Sequence, residues 1–305
     1  MIHVVAKEEA GKRLDVWLKE KYPSFSRNYF QYLIEEGEVL VNGSIVKKKE
    51  VLCECDEVDL SFIELPAIKL VPEPIPVDIL FEDEWILVVN KPVGMVVHPA
   101  PGHYTGTLVH ALLYHCNLSF DQGSLRPGIV HRLDKDTSGV LIAAKDPKTL
   151  EKLTELFSKR LIEKTYLAIC VGSPKEQRID APIGRNPKER KQMAIIPDGR
   201  EAVTLCRPLS PTISGLTYVE LKPITGRTHQ LRVHMRHANT PILGDPVYGA
   251  LQCNRKWGVS TQLLHAAKIA FTHPHTGSLV QIEAPQPSFF QTLSQRLMNS
   301  KKIFS

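Results

Sequence analysis

Residues 128–145 read GIVHRLDKDTSGVLIAAK and place a short polar segment between two apolar ones. The ionisable side chains of this segment are His131, Arg132, Asp134, Lys135 and Asp136. The apolar run 140–144 is short and is followed by a charged pair, a pattern that predicts a buried strand. We therefore expect a polar loop that holds Asp134 rigidly at the entrance of a core strand.

Two other interpretations of this segment start from its acidic residues. Asp134, Asp136, Ser138 and Gly139 match the opening of a calcium-binding loop, whose twelfth position should be a Glu. That position is Lys145, and a strand pattern follows where a helix should begin, so we exclude a calcium loop. The remaining alternative is a solvated surface turn, which a DKD triplet alone would favour.

The longer string HRLDKDTSG, residues 131–139, resembles the signature loop of the RluA/RluD family of RNA pseudouridine synthases. Four more segments resemble the same family and follow in the family's order: NKPVGMVVHP at 90–99, KTYLAIC at 164–170, TGRTHQLRVH at 225–234 and PILGDPVYG at 241–249. The resemblance implies an isomerase that converts uridine in RNA to pseudouridine and that needs no cofactor and no metal.

The resemblance also implies roles for individual residues. Asp134 would be the catalytic carboxylate, acting as a nucleophile on the sugar or as a base that opens a glycal route. Arg232 would pair with that carboxylate, and Tyr166 would stack on the target base. Arg132 would help to displace or replace the extruded nucleotide. Asn90, Lys91 and residues 245–248 receive only structural or pocket-wall roles.

Composition is that of a globular protein, with 305 residues, 43% hydrophobic and 23% charged residues and a net charge of +5. Six scattered cysteines without a CxxC pair indicate reduced thiols. Cys53 and Cys55 lie in a strand-like run and are interpreted as small hydrophobes on one face. The sequence shows no signal peptide and no apolar run near the length of a membrane span, so we expect a cytoplasmic monomer.

Residues 1–64 predict a separate small module of two helices and a hairpin. Leu14, Trp17 and Leu18 have helical spacing, as do Phe30, Leu33 and Ile34 after a possible cap at Ser26. The Asn42-Gly43 pair predicts the hairpin turn. This order of elements resembles the RNA-binding module of ribosomal protein S four, and the resemblance implies phosphate contacts from Lys12, Arg13, Arg27, Lys47 and Lys48. Because the module is also rich in Glu and Asp, RNA binding requires its charges to segregate by face.

Residues 65–76 contain four prolines and predict an extended linker, and residues 77–305 predict the catalytic domain. The fold class is α+β, with a mainly antiparallel mixed sheet and flanking helices. Strands are expected at 85–89, 95–98, 139–144, 166–171, 202–206, 217–221, 267–272 and 279–283. Helices are expected at 108–115, 147–160, 228–238 and 287–297.

The motif sequences most resemble those of the D-type enzymes that act on large-subunit ribosomal RNA. Ribosomal RNA or a large-subunit precursor is therefore the expected partner. Transfer RNA stays open, because substrate choice depends on surface shape. An N-glycosidase would break the same bond, with Asp136 or Asp245 as a second carboxylate. The non-enzymatic alternative is an assembly factor that binds RNA without catalysing a reaction.

Overall fold

The structure is a computed structural model that describes residues 1–25, 27–63, 70–100, 103–116, 126–190 and 192–299. Contacts within the chain divide it into two compact units, Met1–Lys69 and Leu70–Ser305. The predicted linker, 65–76, crosses this division and lies partly outside the described residues. The module, linker and domain boundaries given above therefore stay predictions. No helix of the described residues is long and apolar enough to cross a membrane.

The first unit packs two helices against a small antiparallel sheet. Its elements are β1 Ile2–Val4, α1 Leu14–Lys21, α2 Arg27–Glu35, β2 Val39–Val41, β3 Ser44–Ile45 and β4 Glu57–Leu60, with a 3-10 turn at Lys7–Glu9. The strand order is β1-β4-β2-β3. The six apolar residues that set the helical spacing are all buried, which confirms both predicted helices. Ser26, the predicted cap, lies outside the described residues.

The Asn42-Gly43 turn forms the predicted hairpin. Both residues have positive φ, 52° and 73°, and β2 pairs with β3 on either side of them. The prediction for Cys53 and Cys55 is wrong. Both side chains are exposed, and the two residues lie in a turn instead of on one face of a strand. Cys55 has a φ of 67°, which a continuous strand does not allow.

The second unit is built on one large sheet with helices packed against it. Its strands are β5 Asp78–Glu82, β6 Ile86–Lys91, β7 Ser138–Ala144, β8 Glu163–Val171, β9 Gln177–Asp180, β10 Ile183–Arg185, β11 Met193–Ile195, β12 Val203–Pro208, β13 Leu216–Pro223, β14 Leu264–Thr272 and β15 Leu279–Glu283. Its helices are α3 Leu108–Cys116, α4 Pro147–Ser158, α5 Gln230–His237, α6 Leu251–Trp257 and α7 Ser288–Asn299.

The main sheet has nine strands in the order β5-β6-β7-β14-β8-β13-β12-β9, with β15 paired to β14, while β10 and β11 form a separate pair. Among the described strands, the pairing of β7 with β14 is parallel and the other pairings are antiparallel. This confirms the predicted α+β class with a mainly antiparallel mixed sheet. Seven of the eight predicted strands and all four predicted helices of this unit are present.

The predicted strand at 95–98 is wrong. The carbonyls of Val96 and Val97 accept the backbone N–H groups of Leu108 and Val109, at 2.9 and 3.0 Å. These two donors belong to the first turn of α3, where N–H groups have no partner inside the helix. The apolar run therefore caps a helix and does not pair in the sheet.

Gly139 lies where β7 leaves the loop that carries Asp134. Its φ is +111°, and a side-chain carbon there would collide with the backbone carbonyl of Ala266. The close approach lets β7 pair with β14, with Ser138 opposite His265 and Gly139 opposite Ala266. The sequence of this turn thus fixes the end of the loop against the middle of the sheet.

Candidate active site

The loop that carries Asp134 is anchored from several sides. Lys91 is fully buried and donates to the carbonyls of Pro92, Met95 and Lys135 at 2.8 to 3.0 Å. Burial lowers the pKa of this ammonium to about 8, against the opposing charges of Asp136 and Asp134. The Thr137 N–H donates to the Asp134 carbonyl at 3.1 Å and closes the turn.

His131 anchors the start of the same loop. Its Nε2 accepts the backbone N–H of Ile142 at 3.0 Å, and its ring stacks on Phe157 with 4.7 Å between centroids. Burial, with a smaller effect of the Lys164 charge, lowers the pKa of His131 to about 3. The imidazole is therefore neutral at neutral pH and can act as this acceptor.

Arg232, on α5, connects two carboxylates that are far apart in the sequence. Its Nη1 donates to Asp134 Oδ2 at 2.9 Å. Its Nε and Nη2 donate to Asp245 Oδ2 and Oδ1 at 2.7 and 3.0 Å. Burial disfavours the guanidinium charge, but Asp245 and then Asp134 outweigh this effect and raise the pKa of Arg232. The arrangement gives Asp134 a counter-charge and a fixed direction.

Asp245 is fully buried and has every oxygen occupied. Besides Arg232, it accepts the backbone N–H groups of Val247 and Tyr248 at 2.8 and 2.9 Å. The Arg232 guanidinium also lies 5.1 Å from the centre of the Tyr248 ring. Asp245 therefore holds Arg232, and its full burial keeps it out of reach of a substrate.

His229 approaches the second oxygen of Asp134. Its Nε2 lies 3.9 Å from Asp134 Oδ1, and its Nδ1 lies 2.9 Å from the Tyr248 hydroxyl. Burial lowers the pKa of His229, while the charge of Asp134 opposes this change.

His131, Asp134, His229 and Arg232 line a cleft of about 520 Å³. Tyr166, on β8, and Leu264, on β14, contribute to its walls with Asp134, and Arg132 is exposed beside them. Burial, and secondarily the charge of Asp134, raises the pKa of the Tyr166 hydroxyl, so the phenol is neutral. The structure thus brings Asp134, Arg232, Tyr166 and Arg132 to one cleft, while their catalytic roles stay predictions.

Cations also line this cleft. Arg160 is paired with Glu201, whose backbone carbonyl accepts from Arg227. Lys164 is half-buried above the Phe157 ring, and it makes no ion pair with the residues that the structure describes. A cleft with this lining attracts a polyanion.

In the first unit, the buried carboxylate of Asp15 accepts hydrogen bonds from two of the predicted RNA-binding residues. Arg13 donates to both of its oxygens at 3.1 Å, and Arg27 Nε donates to Oδ2 at 2.8 Å. Arg13 also donates to the carbonyl of Lys48 at 3.2 Å. Arg13 and Arg27 therefore lie together at Asp15, while the segregation of charge that RNA binding requires stays a prediction.

The other predicted contacts of this unit have different surroundings. Lys12 pairs with Glu20 at 2.6 Å, and the Lys48 ammonium pairs with Glu35. Lys47 is exposed and makes no ion pair within the described part of the chain. RNA binding by these side chains stays a prediction.

One group of the described residues has potential metal-ligand atoms close together. The ligand atoms of Glu82, His115 and Cys116 lie within 4.8 Å of one another. Glu82 is already bound by His115 and by the Lys145 ammonium, both at 2.9 Å. A cation on the same carboxylate makes an ion-pair cluster the better description of this group.

Sequence reasoning missed two features of the site. Asp245 was expected to have a structural or pocket-wall role, or to be the second carboxylate of a glycosidase, and its contact with Arg232 was not predicted, although its position in a segment that resembles the family was a usable signal. His229 was given no role from the sequence. Its left-handed backbone, φ 56° and ψ 18°, aims it at the cleft, and no local pattern indicates that conformation.

An aspartate held by an arginine, in a cationic cleft with an aromatic wall, fits an enzyme that acts on a polyanionic substrate. Residues 85–237 match the family described as RNA pseudouridylate synthase, and residues 12–58 match the S4 domain. A Bacillus subtilis protein described as an uncharacterized RNA pseudouridine synthase is 42% identical, over 96% of each chain. The ribosomal large subunit pseudouridine synthase D of Zymomonas mobilis is 42% identical, over 98% of each chain.

A solved structure gives the same result for the fold. Human RNA pseudouridylate synthase domain containing 1 is 28% identical, with a TM-score of 0.56, and the match covers 74% of this chain and 87% of the human one. The chain therefore belongs to the RNA pseudouridylate synthase family and carries an S4 domain near its N-terminus. It is an isomerase that forms pseudouridine in RNA.

Proposed function

We propose that this isomerase acts on uridines of large-subunit ribosomal RNA and that Asp134 is its catalytic carboxylate. The observation that carries the proposal is the 2.9 Å contact between Arg232 Nη1 and Asp134 Oδ2 in the cleft. Arg232 is itself fixed by the fully buried Asp245. The carboxylate is thereby presented in one orientation, with Oδ1 left for the substrate.

The reaction exchanges one bond for another within the nucleotide. The C1′–N1 bond breaks, and its electron pair leaves with the uracil ring. After the ring turns, C5 bonds to C1′, C5 loses its proton, and a ring nitrogen gains one. Asp134 can add to C1′ as a nucleophile or remove the C2′ proton to give a glycal, and both routes end in the same product.

A uridine in a folded RNA must leave its stack to reach Asp134, at a cost of a few kcal/mol. Tyr166 supports this step because its ring lies on the cleft wall near Asp134 and can stack on the extruded base. Arg132 is exposed beside the cleft and makes no ion pair with the described residues, so it can occupy the place that the base leaves.

The cations supply the binding free energy. Lys164, Arg160 and Arg227 line the cleft, and each can approach a phosphate of the extruded strand. In the first unit, Arg13 and Arg27 are held side by side by Asp15, and Lys47 is exposed and unpaired within the described residues. We assign phosphate contacts to both sets, because phosphate contacts fix the position of a protein on RNA without reading its sequence.

Ribosomal RNA is the proposed substrate because several relatives are named ribosomal large subunit pseudouridine synthase D, among them one from Xanthomonas campestris that is 39% identical over 96% of this chain. Either the RNA itself or a large-subunit precursor particle is the partner. We also infer a cytoplasmic monomer, and the six free cysteines agree with a reducing compartment.

The N-glycosidase alternative needs a second carboxylate that can act as an acid. Asp245 is fully buried and occupied by Arg232, and Asp136 is not among the residues that line the cleft. Neither carboxylate can protonate a leaving base beside Asp134. The geometry therefore favours the isomerase over the glycosidase.

The substrate is tested with unmodified large-subunit ribosomal RNA and unmodified transfer RNA, each mapped by carbodiimide labelling and primer extension. We expect new stops in the large-subunit RNA alone. Stops in transfer RNA alone would reassign the substrate, and release of free uracil would support a glycosidase. Binding without any modification, on naked RNA and on precursor particles, would contradict the proposal and support an assembly factor.

A further inference from the structure

His229 adopts a backbone conformation that a residue with a side chain rarely takes. Its φ of 56° and ψ of 18° are left-handed, and it directly precedes α5. Its carbonyl accepts the Val233 N–H at 2.9 Å and so begins the helix. The side chain lines the cleft that also contains Asp134. A strained backbone beside a reactive group favours a functional role for the side chain over a structural one.

The hydrogen bonds of Tyr248 determine which ring nitrogen of His229 carries the proton. The buried Tyr248 hydroxyl accepts the Met193 N–H at 2.8 Å. Its own proton needs an acceptor, and His229 Nδ1 lies 2.9 Å away. Tyr248 therefore donates to Nδ1, and the proton of the neutral imidazole is on Nε2.

The Nε2–H group points toward the place where the substrate reacts. It lies 3.9 Å from Asp134 Oδ1, which is too far for a direct hydrogen bond. None of the hydrogen bonds within the described residues uses this Nε2. Arg232 occupies Oδ2 of the same carboxylate, so Oδ1 and Nε2–H are both left without a direct hydrogen-bond partner among the described residues. A uridine bound with C1′ beside Oδ1 can therefore place the carbonyl oxygen of its base beside Nε2–H.

We propose that His229 is a further catalytic residue, whose Nε2–H donates a hydrogen bond to the uracil carbonyl that flanks the glycosidic bond. This inference rests on the function proposed above. When the C1′–N1 bond breaks, its electron pair passes into the ring, and negative charge grows on that carbonyl oxygen. His229 keeps its proton and stabilises this charge by hydrogen bonding, as donors in preorganised sites do.

Two substitutions separate this role from a structural one. Asn tolerates the left-handed backbone and can keep the contact with Tyr248, but it lacks the donor at the Nε2 position. Gln carries an amide nitrogen close to that position. We expect His229→Asn to slow single-turnover pseudouridine formation by roughly 100-fold at unchanged RNA affinity and melting temperature, and His229→Gln to restore part of the rate. The exposed His237 of the same helix gives the control His237→Asn, which should match the wild type.

Modified target nucleotides show which substrate atom accepts the hydrogen bond from His229. Sulfur is a weak acceptor, so 2-thiouridine at the target position should slow the wild type and should add nothing to the loss in His229→Asn. A 2′-deoxyuridine target should slow both proteins by the same factor. If the loss in His229→Asn is instead cancelled by 2′-deoxyuridine, the donor serves the ribose hydroxyl, and our assignment to the base is wrong.

The proposed function and this inference fail in different ways. A wild-type protein that modifies no RNA contradicts the proposed function. An active wild type with a His229→Asn rate within about twofold of it overturns the role of His229 and leaves Asp134 untouched. A His229→Asn protein with a lowered melting temperature and weakened RNA binding also overturns it, because the residue would then be structural.

Discussion

Asp245 holds Arg232 through both of its carboxylate oxygens, at 2.7 and 3.0 Å, and neither side chain has appreciable contact with solvent. The one remaining edge of the guanidinium reaches Asp134 at 2.9 Å. The direction of the proposed catalytic carboxylate is therefore set by a residue that does not itself line the cleft.

We expect Asp245→Asn to lower kcat by roughly 10- to 100-fold, because an amide holds the guanidinium with one acceptor where the carboxylate uses two. Removing the charge from a buried pair should also lower the free energy of unfolding, by roughly 3 kcal/mol. Steady-state kinetics with an RNA substrate and urea unfolding measure the two effects. A folded variant with the wild-type kcat would show that Asp245 does not position Arg232.

The close approach at Gly139 gives a prediction about folding. Gly139→Ala places a side-chain carbon against the Ala266 carbonyl at a φ of +111°, and we expect it to cost more than about 3 kcal/mol or to prevent folding. Gly277 is the matched control, since its φ is +71° and its side-chain direction is open. Gly277→Ala should cost only about 1 kcal/mol. Equal melting temperatures for the two variants would contradict the tight pairing of β7 with β14.

His131 gives a prediction about pH. Its pKa is lowered from 6.5 to about 3 in the folded protein. Between those values the unfolded chain binds the extra proton, so the free energy of unfolding falls as the pH falls, by up to about 1.4 kcal/mol per pH unit. His131→Phe should be less stable near neutral pH, because the Ile142 N–H loses its acceptor, but should lose less stability on acidification.

Urea midpoints at about pH 7.5 and about pH 5 measure this difference between His131→Phe and the wild type. Both proteins share every other titrating group, so only the difference between their two pH profiles reports on His131. Parallel profiles would mean that His131 takes up its proton without unfolding.

The S4 unit should contribute a salt-dependent part of RNA affinity. Arg27 uses Nε on Asp15, and its two terminal nitrogens make no hydrogen bond with the described residues. We expect Arg27→Met, in the full chain, to reduce the slope of log affinity against log salt by about one. Lys7→Met removes an exposed cation outside the proposed set and should leave the slope unchanged. Equal slopes in all three proteins would show that Arg27 does not contact an RNA phosphate.

The local sequence pattern was sufficient to predict the strand and the helix that surround the site. The strand after the Asp134 loop was expected at 139–144 and spans Ser138–Ala144, and the helix that follows begins at Pro147 as expected. Strong apolar periodicity and a first-turn proline are local signals, so they can be read from the sequence. The short strands β9, β10 and β11 were missed because their pairing partners, and not their own pattern, decide them.

The geometry of the site depended on contacts that no local pattern contains. Asp134 and Arg232 are 98 residues apart, and their pairing was expected only from the resemblance to a family. Two features follow from the packing of α5 against the loop after it. They are the buried hydrogen bonds between Asp245 and Arg232 and the left-handed backbone of His229. Burial and backbone strain are properties of the assembled fold, which is why these two features were not predicted from the sequence.

The central claim is that Asp134 performs the chemistry, and single-turnover pseudouridine formation by Asp134→Asn tests it most directly. Asp136→Asn, in the same loop but outside the cleft, is the matched control. We expect Asp134→Asn to lose at least about 10⁴-fold in rate while binding RNA as tightly as the wild type, and Asp136→Asn to stay within about tenfold. Pseudouridine formed at a comparable rate by Asp134→Asn, with mass spectrometry showing that the asparagine is intact, would contradict the account.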